Sequence, residues 1–359
     1  MFRQQKHGWI GIDIGSATVK VAQLARNGDT LRVVARAIVP RSLPVTTEER
    51  ETELEPLWSA SGEIGAAVAL ANGLRGRKAA STMPMGLCDL HHIDRLDEFS
   101  EDLDSVVRHA VESATQSSAD HLQFDIWPAE SHDGLNQPLR WNVLAVARPW
   151  SDQIYSDVVN NGFACQQIDG LPHTLTRAID MGLSSERTLP VSALDWGYSQ
   201  ATFCIVHEGR PVYARVLKDC GLDRVIRSVS DGLDIRPEQT YGLLQQYGLS
   251  GLNSSGTDEK ATLVAELIKE PLLQLENELS RTLSYVTSLR RSIKPQQLYL
   301  FGGGGLIKQL SNYLTRQLQI ESRVWQLNPL PSNEHASEPE GHCLFGPALA
   351  LSALAWEEA

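Results

Sequence analysis

Three apolar runs dominate the first forty residues. WIGIDIG (9–15), TVKVAQLA (18–25) and LRVVARAIV (31–39) are rich in β-branched side chains and read as strands. Asn27-Gly28-Asp29 between the second and third is a hairpin signal, because Asn and Gly tolerate positive φ. The pattern predicts a three-stranded meander. Apolar Leu54, Leu57, Ile64, Val68 and Leu70 then predict a helix over 52–73, and a short strand follows near 78–83.

Residues 84–165 change character. GLCDLHHIDRL reads as extended. FSEDLDSVVRHAVESA reads as an amphipathic helix with Ser100 as its N-cap. HLQFDIWPAE and WNVLAVARP read as strands joined by the polar turn SHDGLNQ, and DQIYSDVVNNG as a helix ended by Gly162. Together they predict a compact α+β insert.

Near 190 the opening repeats. VSALDWG (191–197) resembles WIGIDIG, and ATFCIVHEGRPVYARVL (201–217) resembles the two strands after it. The shared pattern is Asp-x-Gly, a strand, a Gly turn and a third strand. A duplicated unit of this kind predicts two similar domains facing each other. Helical spacing fills 222–247 and 262–291. QQLYLFGGGG (296–305) is a strand running into four glycines and then the helix LIKQLSNYLTRQL. A short strand SRVWQL and a Pro/Glu-rich loop (329–340) lead to a final apolar helix, CLFGPALALSALAW (343–356).

A length of 359 residues suits two or three domains of ordinary size. The net charge of −12 disfavours nucleic acid and anionic lipid as partners. The five cysteines are scattered with no C-x-x-C pair, so neither a disulfide framework nor a zinc site is expected, and the usage fits a reducing cytosol. No apolar run approaches the length of about 18 residues that suggests a membrane span. His91-His92 with Asp89 and Asp94 is a poor metal cluster, because adjacent histidines in a strand point to opposite faces. Trp127, Trp141 and Trp150 suit either peptide anchoring or sheet packing.

Three glycine-bearing turns follow strands: Asp13-Ile-Gly15-Ser16-Ala17-Thr18-Val19-Lys20, Asp195-Trp-Gly197-Tyr-Ser199-Gln200, and Gly302-Gly303-Gly304-Gly305. Glycine lets backbone approach a ligand, and successive amides cradle phosphate. An Asp after each apolar strand is a candidate for holding Mg²⁺ through water. An Asp-x-Gly turn alone is usually an ordinary hairpin, and the more specific glycine run is also compatible with a loose helix entry; their order along the chain carries the argument.

That order resembles the actin-like ATPase superfamily, actin, hexokinase and FtsA among its members. GIDIGSATVK is similar to its first phosphate motif, LDWGYSQATF to its second, LYLFGGGGLIKQL to its adenosine motif, and QIDGLPHTLTRA (167–178) and FGPALALSALA (345–355) to its connecting helices. Within the superfamily the chain most resembles the PilM family of type IV pilus assembly proteins, through GIDIGSATVKVAQLAR, LANGLRGRKAASTMP and the position of the insert. The resemblance implies an α/β fold of two duplicated, ribonuclease H-like domains with mixed sheets flanking a nucleotide cleft. It places the first half of domain 1 at 1–83, the insert at 84–165, domain 2 at 166–340 and a returning helix at 341–359. It implies ATP and Mg²⁺ as cofactors. Asp13 and Asp195 would hold Mg²⁺ through water. Gly15, Ser16, Thr18 and Lys20 would contact the phosphates from one side, and Asp195, Gly197, Ser199 and Gln200 from the other. Gly302, Gly303 and Gly304 would lie under the adenosine.

The implied partner is the cytoplasmic N-terminal peptide of PilN, an inner-membrane protein. Other pilus inner-membrane components and a homo-oligomer are compatible with it. The chain itself would be cytoplasmic, recruited to the membrane without inserting. Some positions depart from the pattern. Leu171 and Pro172 stand where an acid past Asp169 is usual, Trp196 and Tyr198 are bulky, and Leu244 and Gln245 stand near a ribose-contacting lysine position. These imply slow or absent ATP hydrolysis. A small-molecule kinase with Asp169 as catalytic base, and an FtsA-like division protein, are the alternatives.

Overall fold

The computed structural model describes residues 6–28, 30–42, 58–93, 103–129, 141–182, 189–252, 258–289, 293–327 and 341–357. The elements begin with β1 (Lys6–His7), β2 (Ile10–Ile14), β3 (Thr18–Asn27), β4 (Thr30–Pro40), α1 (Ser61–Leu70), β5 (Lys78–Thr82) and β6 (Asp89–Ile93). They continue with α2 (Leu103–Thr115), β7 (Leu122–Pro128), β8 (Trp141–Ala147), α3 (Arg148–Asn160), β9 (Ala164–Asp169) and α4 (Leu171–Met181). Then come β10 (Val191–Trp196), β11 (Ala201–His207), β12 (Arg210–Leu217), α5 (Leu222–Leu233), α6 (Pro237–Gln246) and α7 (Glu259–Leu289). β13 (Gln297–Phe301), α8 (Leu310–Leu318), β14 (Glu321–Val324) and α9 (His342–Ala353) complete the chain.

Two units emerge: Met1–Ala178 with Gly209–Ala214 and Pro347–Ala359, and Ile179–Glu208 with Arg215–Gly346. The sheet of the first runs β4-β3-β2-β5-β9, with the short β1 also on β3. β2 pairs antiparallel with β3 and parallel with β5, and β5 pairs parallel with β9. The sheet of the second runs β12-β11-β10-β13-β14, with β10 antiparallel to β11, parallel to β13, and β13 parallel to β14. The repeat noticed in the sequence is therefore a repeat of topology, strand for strand.

The central strands are apolar on both faces because helices cover them. Ile10, Ile12 and Ile14 are all buried. Gly11 admits α9: a Cβ there would meet the Ala348 carbonyl oxygen at 1.8 Å. Ser352 fixes the register, its Oγ accepting from the Leu24 amide at 2.9 Å and its carbonyl from the Trp9 amide at 3.1 Å.

The insert is a three-stranded sheet, β6-β8-β7, with α2 on one face. Val111 of α2 packs on Val143 and Ala145 of β8, walled by Ile93, Val107, Leu122, Phe124 and Ile126. The end of the insert at 165 falls inside β9, which completes the first sheet. α3, read as part of the insert, packs on β8 and β7 of the insert and also on β9, α1 and β5. There the buried Asp157 carboxylate accepts from the Ala60 amide (2.7 Å) and the Ser59 hydroxyl (2.6 Å) at the start of α1.

Some local expectations are refined. The helical segment 222–247 is divided into two helices, because Asp234 takes a left-handed conformation (φ 50°) after α5. The helix after the glycine run begins at Leu310 instead of Leu306. Gly303–Leu306 forms a 3₁₀ turn and Gln309 sits at φ 66°, so the chain turns before α8 starts. Ser100, the polar turn 131–137 and the 329–340 loop lie outside the described residues. Trp127 and Trp150 are buried packing residues, and four of the five cysteines are buried.

Candidate functional site

The first phosphate-type turn is built by the β2–β3 hairpin. The Gly15 amide donates to the Thr18 carbonyl at 2.9 Å, closing the turn. Asp13 and Lys20 lie directly opposite each other on β2 and β3, so their side chains share a face. The Lys20 ammonium donates to Asp13 Oδ2 at 2.8 Å, and both side chains are about 11% exposed. Thr82, at the end of β5, completes the cluster: its hydroxyl donates to Asp13 Oδ1 at 3.0 Å and accepts from the Ile14 amide at 3.0 Å. The Asp13 carboxylate therefore has a donor on each oxygen. Ser16 and Thr18 are half-buried on the turn.

The second turn repeats this backbone. A Cβ on Gly15 would meet the Thr18 carbonyl at 3.1 Å, and one on Gly197 would meet the Gln200 carbonyl at 3.0 Å. Asp195 pairs across the strands with Thr202, so the residue at the Lys20 position carries no charge. Gln200 is buried, while Ser199 is half-buried. The Gly197 and Tyr198 carbonyls accept from the Leu222 (3.0 Å) and Asp223 (2.9 Å) amides, so the turn caps the start of α5.

The glycine run of the same unit is explained atom by atom. Gly302 has φ 72°, and a Cβ there would lie 2.5 Å from Asp195 Oδ1. A Cβ on Gly304 would enter the Trp196 indole at 2.4 Å, and one on Gly303 would meet Leu222 at 2.9 Å. Trp196 is 2% exposed, and its Nε1 donates to the Cys220 carbonyl at 2.8 Å. The bulky residue of the second motif is thus the floor on which the run lies. Near α6, burial, then Tyr198 and Asp223, push the Tyr241 hydroxyl pKa up to about 12. Leu244 is buried, and its carbonyl accepts from the Lys308 amide at 3.1 Å.

Asp169 ends β9 in a different setting. Its carboxylate accepts from Arg177 at 2.8 Å and from the Thr174 hydroxyl at 3.3 Å, and it is 5% exposed. Arg177 also donates to Glu357 at 2.6 Å. Burial works against the guanidinium charge, but the two carboxylates outweigh it and raise its pKa.

Sequence reading missed a cavity of about 570 Å³ in the first unit. Met83, Leu144, Val146 and Ile168 supply apolar lining, and Asp125, Asp152 and Tyr155 supply polar lining. The insert strand β7 contributes Gln123–Asp125, and β9 contributes Cys165–Asp169. Asp125 accepts from its neighbour, the Ile126 amide, at 2.8 Å and lies 3.2 Å from His173 Nε2. The His173 ring at that distance holds the Asp125 carboxyl below its ordinary range, outweighing burial. His173 also meets Trp127 edge-on at 4.5 Å, and Trp127 donates from Nε1 to the Pro211 carbonyl at 2.7 Å. Thr82 was missed as well. Its only signal was its place at the end of a strand, KAAST.

The first turn carries side chains that suit a phosphate group, the Lys20 ammonium and the Ser16 and Thr18 hydroxyls, with the ammonium already paired with Asp13 and the Gly15 amide with the Thr18 carbonyl. For Mg²⁺ the fit is tighter, because a metal held through Asp13 shares that carboxylate with Lys20 and Thr82.

No family model matches the chain. It superposes on a chain of the PilM–PilN type IV pilus biogenesis complex with a TM-score of 0.75, at 17% identity, over 97% of this chain and 98% of that one. It superposes on the ethanolamine utilization protein EutJ of Carboxydothermus hydrogenoformans with a TM-score of 0.52, at 11% identity, over 98% and 91%. At such identities the likeness is one of fold, and the fold is that of the actin-like ATPases.

Proposed function

We propose that the protein is a nucleotide-binding scaffold of type IV pilus or related secretion machinery. In this reading it holds the cytoplasmic peptide of a PilN-like inner-membrane protein. The observation that carries the reading is the full-length likeness to the pilus complex chain, which takes in the insert as well as both repeated sheets. The peptide would occupy the cavity between the insert and β9, whose volume falls in the range of about 300–1,000 Å³ usual for ligand pockets.

ATP with Mg²⁺ would be the nucleotide. Gly15, Ser16, Thr18 and Lys20 would hold phosphate in one unit. Asp195, Gly197, Ser199 and Gln200, with Gly302, Gly303 and Gly304, would take their part in the other, and Asp13 and Asp195 would face the metal. The chemistry a bound Mg²⁺ supplies is neutralisation of phosphate charge. The kinase alternative needs a general base able to take a hydroxyl proton. Asp169 is instead committed to Arg177, which favours a binding role with slow or no turnover.

Calorimetric titration with ATP·Mg²⁺ and with the partner's cytoplasmic peptide tests the reading. Saturable binding of both is expected, with nucleotide binding weakened in Lys20→Met. Absence of affinity for both ligands in the folded wild type overturns it.

A further inference from the structure

The cavity sits between two strand edges. β9 ends the first sheet and β7 ends the insert sheet, and each lines the cavity with consecutive residues. An edge strand offers unpaired backbone groups to an extended partner. On β7 the Asp125 carboxylate already takes the Ile126 amide. On β9 the Gln167 and Ala164 carbonyls accept from the Cys165 thiol and the Gln166 side chain, so each edge is partly engaged by its own side chains.

The charge on the lining is one-sided. Its titratable carboxylates are Asp125, Asp152 and Asp169, and no Lys, Arg or His is among the described residues that line it. Asp169 is neutralised from behind by Arg177. Asp125 and Asp152 are exposed and reach solvent at the cavity. Tyr155 lies three residues from Asp152 on α3, hence on the same helix face, and is 52% exposed. A carboxylate beside an aromatic face is a favourable setting for a Lys or Arg side chain. His173 beside it holds the Asp125 carboxyl below its ordinary range, against the effect of burial. Below this rim lie the apolar Met83, Leu144, Val146 and Ile168.

We infer that the cavity selects an extended segment carrying both apolar and cationic side chains, and that Asp125 and Asp152 are the residues that read its charge. The inference rests on the reading that the cavity takes a partner peptide. The charge has a physical source on the partner's side: segments next to membrane spans on the cytoplasmic face are enriched in Lys and Arg.

The test uses the full-length protein and four fluorescein-labelled peptides. Two are the N-terminal cytoplasmic dodecapeptide of the PilN-like protein of the same organism and its version with Gln at every Lys and Arg. Two are a designed dodecapeptide of Leu and Val with three Lys and its Gln counterpart. Binding is read by fluorescence anisotropy in wild type, Asp125→Asn, Asp152→Asn and the double variant. Alkylation of Cys165, a half-buried thiol of the lining, reports whether the peptide occupies the cavity.

The basic peptides are expected to bind more tightly than their Gln versions and to protect Cys165. Each Asn variant should weaken basic-peptide binding by about three- to fivefold, as partly exposed ion pairs do. Added salt should weaken it further. The Gln peptides should not distinguish the variants. Equal affinity of the basic and Gln forms of the pilus peptide overturns charge selection while leaving the pilus reading standing. Binding of the designed Lys peptide without the pilus peptide upholds charge selection and removes the pilus peptide as the occupant of the cavity. Binding of none of the four overturns the inference.

Discussion

The two repeated sheets carry the same turn in different surroundings. In the first, Asp13 is held by Lys20 across the strand pair and by Thr82 from the next strand. In the second, Thr202 occupies the Lys20 position, Phe301 stands where Thr82 stands, and Asp195 Oδ1 lies instead against the backbone of Gly302. One copy is a charge-paired cluster of side chains; the other is a carboxylate packed on a glycine backbone over Trp196. A shared topology thus fixes where the carboxylate stands but not what neutralises it. That second choice sits on strands 7 and 69 residues away from Asp13 in sequence.

The largest expected effect separates the two copies directly. Asp13→Ala leaves the Lys20 ammonium buried without its counter-charge and should cost about 3–5 kcal/mol of stability. Asp195→Ala, at a position whose neighbour across the strands is the uncharged Thr202, should cost less. Urea unfolding of both variants measures the difference, and equal losses would break the comparison. Next comes the backbone-built copy. Gly304→Ala drives a methyl into the Trp196 ring and should cost about 1–3 kcal/mol. Gly62→Ala, where nothing lies within 4 Å, should be neutral or slightly stabilising as a helix substitution. Thermal midpoints of the pair decide whether the run's glycines are needed by packing.

Thr82→Val is a comparable or smaller change, about 1–3 kcal/mol, because it strips a buried hydroxyl from the Ile14 amide and from Asp13. A smaller loss would mean that water replaces the hydroxyl. The smallest effect is outside both sheets. The folded Asp125 pKa is depressed, so its contribution is fully present above its ordinary value of 3.8 and is lost as pH falls below that. The Asp125 side chain is 63% exposed, which keeps the gain small. Asp125→Asn should therefore lower the unfolding midpoint slightly at pH 6, and the gap from wild type should close toward pH 3. A gap that persists in acid would show that the His173 contact is not ionic in origin.

Much of this was legible from sequence because it is local. The β-branched runs and the Asn-Gly turn place β2, β3 and β4 within a residue or two. The Asp-x-Gly repeat placed the second sheet because period and turn chemistry act over a few residues. The misplaced start of α8 shows the limit. The pattern over 306–318 is helical, yet Lys308 is bonded to Leu244 and Gln246 of α6, and that contact holds the chain out of a helix. Trp196 is similar: beside its own strand it looks out of place, and only Gly304, distant in sequence, explains it.

Sequence alone determined the repeated sheet unit, the turns that carry Asp13 and Asp195, and the existence of an insert, since periodicity and glycine placement encode each of these locally. The tertiary structure decided what those residues touch. It brought Glu357 to Arg177, 180 residues away in sequence. It also brought β7 and β9 to one cavity. Those outcomes depend on which sheet edges and helix faces meet in three dimensions, and no window along the chain contains both partners.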